Sequence, residues 1–348
     1  LDIISDKLPD KLKGKKLAVL CHAASINNDY KHITELIADL KDTSLGAIFG
    51  PQHGLFGETQ DNMIEWEGYK HPEYNVPIFS LYGKLRKPDP EMLKDIDAML
   101  IDLQDIGARP YTYIWTMKHC MEACCDSGIP VWVLDRPNPI SNIGAKGPLL
   151  KRDYFTFVGG AELPMCHNMT IGEIALWLKY FENIDCNLEI IWMENWERGM
   201  SYNQTRLPWV PPSPNMPSLS TAFVYPGTVL TEALNLSEAR GTTTPFELFG
   251  APEITSNSII KNLKDRKLNG CAFRAHDYIP TFHKYNNTYC KGIFIHVTDP
   301  NTFDPVYTAI NIYSAILETD KGYLLFNDPP YEYEYELIPF DILIGDSK

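Results

Sequence analysis

The chain has 348 residues, 44% hydrophobic and 22% charged, the balance of a folded globular protein rather than a disordered or fibrous one. Its net charge of −14 argues against a nucleic-acid partner, because phosphate recognition requires a basic face. No run approaches the roughly 18–20 apolar residues of a membrane span, and the length exceeds one ordinary core, so two domains are expected.

In chain order, residues 16–21 form a compact apolar run that ends in His22-Ala23-Ala24-Ser25, a buried strand entering a loop. Ile33, Leu36, Ile37 and Leu40 then recur at the spacing of an amphipathic helix. Further strands are expected over residues 45–49, 76–81, 97–103, 130–135 and 188–193. Helices are expected over 90–95, over 115–125 and up to Phe181. Short apolar runs separated by helical patterns imply a mostly parallel sheet covered on both faces, a Rossmann-like domain over residues 1–206. The dinucleotide glycine fingerprint is absent, so the architecture brings no nicotinamide cofactor with it, and no cofactor is expected. In residues 207–217 five prolines in eleven residues cannot continue helix or sheet, which places the domain boundary there as an ordered crossing. Residues 207–348 read as a smaller α+β domain packed against the first. Its strands fall over 270–275 and 292–297, a helix over 305–317, and a closing strand of alternating tyrosines and glutamates over 331–340.

The 8 cysteines show no small-domain disulfide pattern, and Cys120, Cys124 and Cys125 fall on one helix as core fillers. Such usage favours a reducing, cytoplasmic setting. The chain opens on Leu1 without an initiator Met or a signal-like apolar region, which reads as a processed or trimmed form and leaves a periplasmic or secreted setting open.

The loop after the second strand, Gly50-Pro51-Gln52-His53-Gly54-Leu55-Phe56-Gly57-Glu58-Thr59-Gln60-Asp61, joins a turn-forming backbone to an imidazole, two carboxylates and two amides. Polar clusters follow two more strands: Asp102, Asp105, Arg109 and Tyr111 after the fourth, and Asp135, Arg136 and Asn138 after the fifth. Parallel strands align their carboxyl ends, so these loops should line one crevice, where open α/β sheets bind ligands. The plainer role for Asp102 and Asp135 is capping, or pairing with Arg109 or Arg136. Thr170 and Glu173 have capping-box spacing, so Glu173 is expected to be a cap. In the second domain, Glu238 and Arg240 belong to a polar loop suited to a polyhydroxylated ligand or, more simply, to an Arg–Glu tie.

No structural zinc spacing, phosphate loop or nucleophile elbow is present. Carboxylates across a cleft suit glycoside hydrolysis, metal-assisted hydrolysis through His22, His53 and Asp102, or ligand binding without turnover. The 7 Trp and 19 Tyr offer flat faces for sugar rings, although core packing accounts for most of them.

Longer motifs are more specific. They include Phe49-Gly-Pro-Gln-His-Gly54, Ser80-Leu-Tyr-Gly83, Ile101-Asp-Leu-Gln-Asp105, Leu134-Asp-Arg-Pro-Asn-Pro139, His167-Asn-Met-Thr170, Pro212-Ser-Pro-Asn-Met-Pro217, Tyr225-Pro-Gly227 and Ser237-Glu-Ala-Arg-Gly-Thr242. Through these blocks, which span nearly the whole chain, the sequence resembles the exo-β-N-acetylmuramidase family, long known as a domain of unknown function. The resemblance implies removal of N-acetylmuramic acid from the non-reducing ends of peptidoglycan fragments, with a muropeptide-like small molecule or oligosaccharide as partner. It also implies a site between two domains. The family reads Pro-Glu-His-Gly in the organising loop and favours that glutamate as its catalytic carboxylate, whereas this chain carries Gln52. Three outcomes follow: Glu58 or Asp61 takes over the proton transfer with His53 and Asp102 beside it, Gln52 orients the substrate's own acetamido group, or the protein binds a sugar without cleaving it. Gln52, Asp105, Arg109, Tyr111, Asp135, Arg136, Asn138, Glu238 and Arg240 are expected to hold substrate, and no residue is assigned to a metal.

Overall fold

The computed structural model describes residues 9–61 and 63–347; the start of the chain and Asn62 lie outside the described residues. In chain order the strands are β1 (Lys16–Cys21), β2 (Ser44–Gly50), β3 (Tyr69–Lys70), β4 (Pro77–Ser80), β5 (Ala98–Asp102), β6 (Val131–Leu134), β7 (Lys146–Leu149), β8 (Pro164–Cys166), β9 (Leu188–Ile191), β10 (Leu248–Ala251), β11 (Cys271–Ala275) and β12 (Lys291–Val297).

The chain forms two compact units that are not two consecutive stretches. The first comprises residues up to Asp105, Thr112–Asn138 and Met169–Pro214; the second comprises Ile106–Tyr111, Pro139–Asn168 and everything from Asn215. This division differs from a single boundary at residue 207. The proline-rich segment stays with the first unit as far as Pro214, and two excursions from the N-terminal half belong to the second.

The first unit carries a seven-stranded sheet of order β3-β4-β2-β1-β5-β6-β9, parallel except where β3 meets β4. Its central strands are buried on both faces, which explains their continuous apolar runs. Leu17, Val19 and Cys21 of β1 pack with Leu100, Trp132 and Leu134 and with Ile33 and Ile37 of the Ile33–Ala38 helix. The intervening Met99 instead places its Sδ 3.7 Å from Cys124 Sγ on the Tyr113–Ser127 helix. Cys120 and Cys124 are buried there and unbridged, and burial pushes the Cys124 thiol up to about 12.

The second unit has an antiparallel sheet of order β10-β12-β11, a β7–β8 pair, and the Leu219–Thr228 and Pro305–Thr319 helices. The fold is thus of the α/β class, with a large, mostly parallel sheet and a smaller antiparallel one. No helix of the described residues is long and apolar enough to cross a membrane.

Two expected elements do not form. Residues 90–95 are a series of turns, with the Met92, Leu93 and Lys94 N–H groups reaching back three residues and Asp95 at φ +57° closing the run. The bonds here are all of the three-residue turn type, and the left-handed Asp95 stops them from continuing into a helix. Residues 331–340 are not a strand: Glu332 and Tyr333 take φ +47° and +65°, making a tight turn bridged between Tyr331 and Glu334, and Pro339 opens the Pro339–Ile344 helix.

Candidate active site

The chain runs outward from β1 through β2 to β4 and then returns to β5 on the other side of β1. The order reverses between β1 and β5, and ligands of open α/β sheets bind at the carboxyl ends of the strands beside such a point. His22 leaves β1 there and Gln104 follows β5. The Gln104 backbone N–H donates to His22 Nε2 at 2.8 Å, and Ser25 Oγ donates to the Asp102 carbonyl at 2.5 Å. Burial, then Arg136 and His32, hold the His22 imidazole well below its usual range, so it stays neutral. Gln104 extends its amide to the carbonyls of Asp105 and Pro137 at 2.7 and 2.9 Å and ties the β5 and β6 loops together.

Asp102, fully buried at the end of β5, receives Arg136 Nε at 2.6 Å and Nη2 at 2.9 Å. Nη2 also donates to the Ile26 carbonyl at 3.0 Å. Planar guanidinium matched to planar carboxylate makes this a two-point lock between neighbouring strand ends. Asp135 turns elsewhere. Its Oδ1 accepts the Gly172 N–H at 2.9 Å in the first turn of the Ile171–Phe181 helix. Desolvation pushes this carboxyl up to about 6, against the bonds from Thr170 and Gly172 that favour its charged form. Thr170 and Glu173 form the reciprocal capping box, which confirms Glu173 as a cap. Asn138 Nδ2 donates to the Met169 carbonyl at 3.1 Å, and Asp105 is buried.

The loop after β2 is drawn into a ring. His53 Nδ1 lies 2.8 Å from the Thr59 carbonyl, and the Thr59 N–H donates back to the His53 carbonyl at 3.2 Å. His53 sits at φ +74°, a conformation that costs a non-glycine residue on the order of 1–3 kcal/mol and persists only where surroundings over-determine it. Glu58 is exposed and folds back across Gly54: a Cβ at residue 54 would come 2.4 Å from the Glu58 carboxylate, which also accepts the Phe56 N–H at 2.9 Å. Gly54 is required by its φ of +89°, while the carboxylate over it is the movable end of a flexible side chain. Asp61 is partly exposed at the loop end, and Trp66 donates from Nε1 to the Pro51 carbonyl at 3.3 Å. Gln52 is buried, its Nε2 donating to Tyr82 Oη at 3.1 Å and its Oε1 accepting the Thr112 hydroxyl at 2.7 Å. Tyr113 Oη reaches the Pro212 carbonyl at 2.5 Å, so the proline-rich segment is ordered as expected.

The remaining expected site residues lie in the second unit. Arg109 is fully buried, and its Nη1 donates to the carbonyls of Pro148 and Leu163 at 3.0 and 2.8 Å, its Nη2 to that of Leu343 at 2.7 Å. Burial lowers the guanidinium to about 10. Such a cage suits a strut better than a ligand for a substrate carboxylate. Tyr111 is buried edge-on to Tyr225, with ring centroids 5.8 Å apart. Glu238 is fully buried, with Arg240 Nε at 3.2 Å, His283 Nδ1 at 3.1 Å and Lys284 Nζ at 3.4 Å. Arg240 Nη2 also donates to Glu232 at 2.7 Å. The Arg–Glu tie expected for this loop is thus present, enlarged by His283 and Lys284.

Burial alone would raise the Glu238 carboxyl, but Lys284, His283 and Arg240 outweigh it and hold the group well below 4.5. A depressed carboxylate stabilises the fold above its unfolded value, and that contribution is lost as pH falls toward the folded one. Unfolding stability is therefore expected to decline below about pH 4.5, and Glu238→Gln to flatten that decline in urea titrations at stepped pH. An unchanged acid limb in the variant would remove Glu238 as its source.

Within the first unit, then, the structure joins Asp102 to Arg136, and draws Glu58 and His53 into one loop with Gln52 anchored beneath it. It sends Asp135 to a helix start rather than to an arginine. Tyr82 and Thr112 hold Gln52 from outside the expected site, although Tyr82 stands inside the Ser80–Gly83 motif. Among the described residues no group of three or more His, Cys, Asp and Glu side chains is placed to hold a metal ion, so His22, His53 and Asp102 make no such set.

Comparison with known proteins matches residues 17–220 to the family described as exo-beta-N-acetylmuramidase NamZ, N-terminal, and residues 223–348 to its C-terminal counterpart. The peptidoglycan beta-N-acetylmuramidase NamZ of Bacillus subtilis (strain 168) is 44% identical over 316 residues, covering 90% of this chain and 76% of that protein. Among solved structures, a DUF1343 family protein of Bacteroides fragilis superposes with a TM-score of 0.89 at 30% identity, covering 99% of this chain and 88% of the other. A second from the same organism gives 0.74 at 27%, with 98% and 86% covered. With both family regions matched, the chain belongs to the exo-β-N-acetylmuramidase NamZ family.

Proposed function

We propose that the protein is a glycosidase that releases N-acetylmuramic acid from the non-reducing ends of peptidoglycan fragments. The observation carrying this reading is the 44% identity to the Bacillus subtilis enzyme over 90% of the chain. In this reading Glu58 is the proton-transferring carboxylate, protonating the glycosidic oxygen as the anomeric C–O bond breaks, while water adds to the anomeric carbon and returns a proton to Glu58. Its support is local: an acid held by a ring-closed loop, beside a histidine in a costly backbone conformation, at the carboxyl edge of the sheet. Gln52 cannot exchange a proton at neutral pH; its fixed amide is assigned to orienting the acetamido group of the substrate. Of the three arginines expected to hold substrate, Arg136 lies at this strand edge, locked to Asp102, whereas Arg109 and Arg240 belong to the second unit.

The test is a chromogenic N-acetylmuramide assayed beside the matching glucosaminide, with and without chelator. Release from the muramide alone, unaffected by chelator, is the expected result. Gln52 favours one second reading, binding without turnover; release from neither compound, with measurable muropeptide binding, would establish it. Activity lost to chelator would instead call for a metal.

A further inference from the structure

Beyond the loop after β2, the first unit holds a cavity of about 600 Å³ at the carboxyl ends of β6 and β9, within the ~300–1,000 Å³ range of ligand sites. Its lining includes Asp135, Arg136, Trp192, Asn195, Trp196 and Arg206. Trp192 is 47% exposed, more than any other tryptophan of the described residues. Trp196 lines the same cavity, with its indole N–H buried. The polar lining is mixed in sign and planar: carboxylate, guanidinium and amide groups of the kind that bind neighbouring hydroxyls two at a time. Carboxylate in the lining, with a net chain charge of −14, disfavours a phosphate, and the polar groups disfavour a lipid. Two indoles beside planar polar groups suit a pyranose, whose C–H face lies on an aromatic ring while its hydroxyl rim is hydrogen-bonded.

We propose that this cavity is a subsite for a neutral N-acetylhexosamine ring, the N-acetylglucosamine that adjoins muramic acid in a peptidoglycan strand. The assignment rests on the peptidoglycan reading above and adds residues outside the expected site: Trp192, Asn195, Trp196 and Arg206. Two tryptophans in an irregular segment carry no periodic signal that would mark them in the sequence.

Triacetylchitotriose is a suitable probe because it contains no muramic acid, so its binding does not depend on muramidase turnover. Isothermal titration of the full chain is expected to show binding with a Kd of about 1 mM or tighter. Trp192→Ala, at an exposed position the fold tolerates, and Trp196→Ala should each weaken it by about tenfold, and Arg206→Ala by less. Thermal melts confirm that the variants are folded. No heat of binding up to about 10 mM, or equal affinity in wild type and both tryptophan variants, would overturn the subsite. Muramide hydrolysis by a preparation that fails to bind the probe would sink the subsite and leave the enzymatic reading standing; binding without hydrolysis would do the reverse.

Discussion

Replacing Glu58 by Gln is expected to lower kcat by roughly 10²–10⁴-fold with little change in KM, the usual worth of a positioned proton donor. The side chain is exposed and accepts one backbone N–H, so the substitution removes a titratable proton without opening a core or stranding a buried charge. A companion variant separates Glu58 from the residue in the family's glutamate position. Gln52→Glu is nearly isosteric, and its oxygens could accept the hydroxyls of both Thr112 and Tyr82, the present partners of the amide. If Glu58 carries the chemistry, Gln52→Glu should leave kcat within about an order of magnitude of wild type. A gain of about 10² or more, with Glu58→Gln nearly silent, would move the catalytic role back to position 52 and make the natural chain an attenuated enzyme.

The second large effect is on stability. Arg136→Ala strands the fully buried Asp102 carboxylate, which accepts both Nε and Nη2 of that arginine. Removing one partner of a buried pair costs about 3–5 kcal/mol, because the remaining charge has lost its counter-ion and cannot reach water. The Ile26 carbonyl loses its guanidinium donor in the same step. Urea unfolding at neutral pH reads the loss as a lower midpoint at constant slope. Arg136→Ala combined with Asp102→Asn should recover part of it, since the stranded charge is then gone. A loss under about 1 kcal/mol in the single variant would mean that the pair behaves like a solvent-exposed one.

Much of the fold was legible because the central strands are buried on both faces and so read as unbroken apolar runs; β1 and β5 fall within a residue of their expected bounds. The loop after β2 was legible because Pro51, Gly54 and Gly57 exclude regular structure while His53 and Glu58 bring chemistry into it. Thr170 and Glu173 likewise announce their helix through side-chain chemistry confined to four residues. Interactions that span the chain were not legible. The carbonyls that hold Arg109 lie as far as 234 residues away, so an arginine in a polar motif looked like a substrate ligand when it is a strut. His283 and Lys284 reach Glu238 from more than forty residues along the chain, beyond any local pattern. Alternation in residues 331–340 misled for a different reason: Tyr and Glu at every second position fit a strand, but Glu332 and Tyr333 are left-handed and fold the segment into a turn.

The most direct measurement uses two disaccharides that differ only in which sugar is terminal: one with N-acetylmuramic acid at the non-reducing end and one with N-acetylglucosamine there. Mass-spectrometric time courses should show equimolar free N-acetylmuramic acid and N-acetylglucosamine from the first and no products from the second. Equal cleavage of both, or stability of the muramic-acid-ended compound under conditions where the protein is folded, would contradict the assignment of this chain as an exo-acting muramidase.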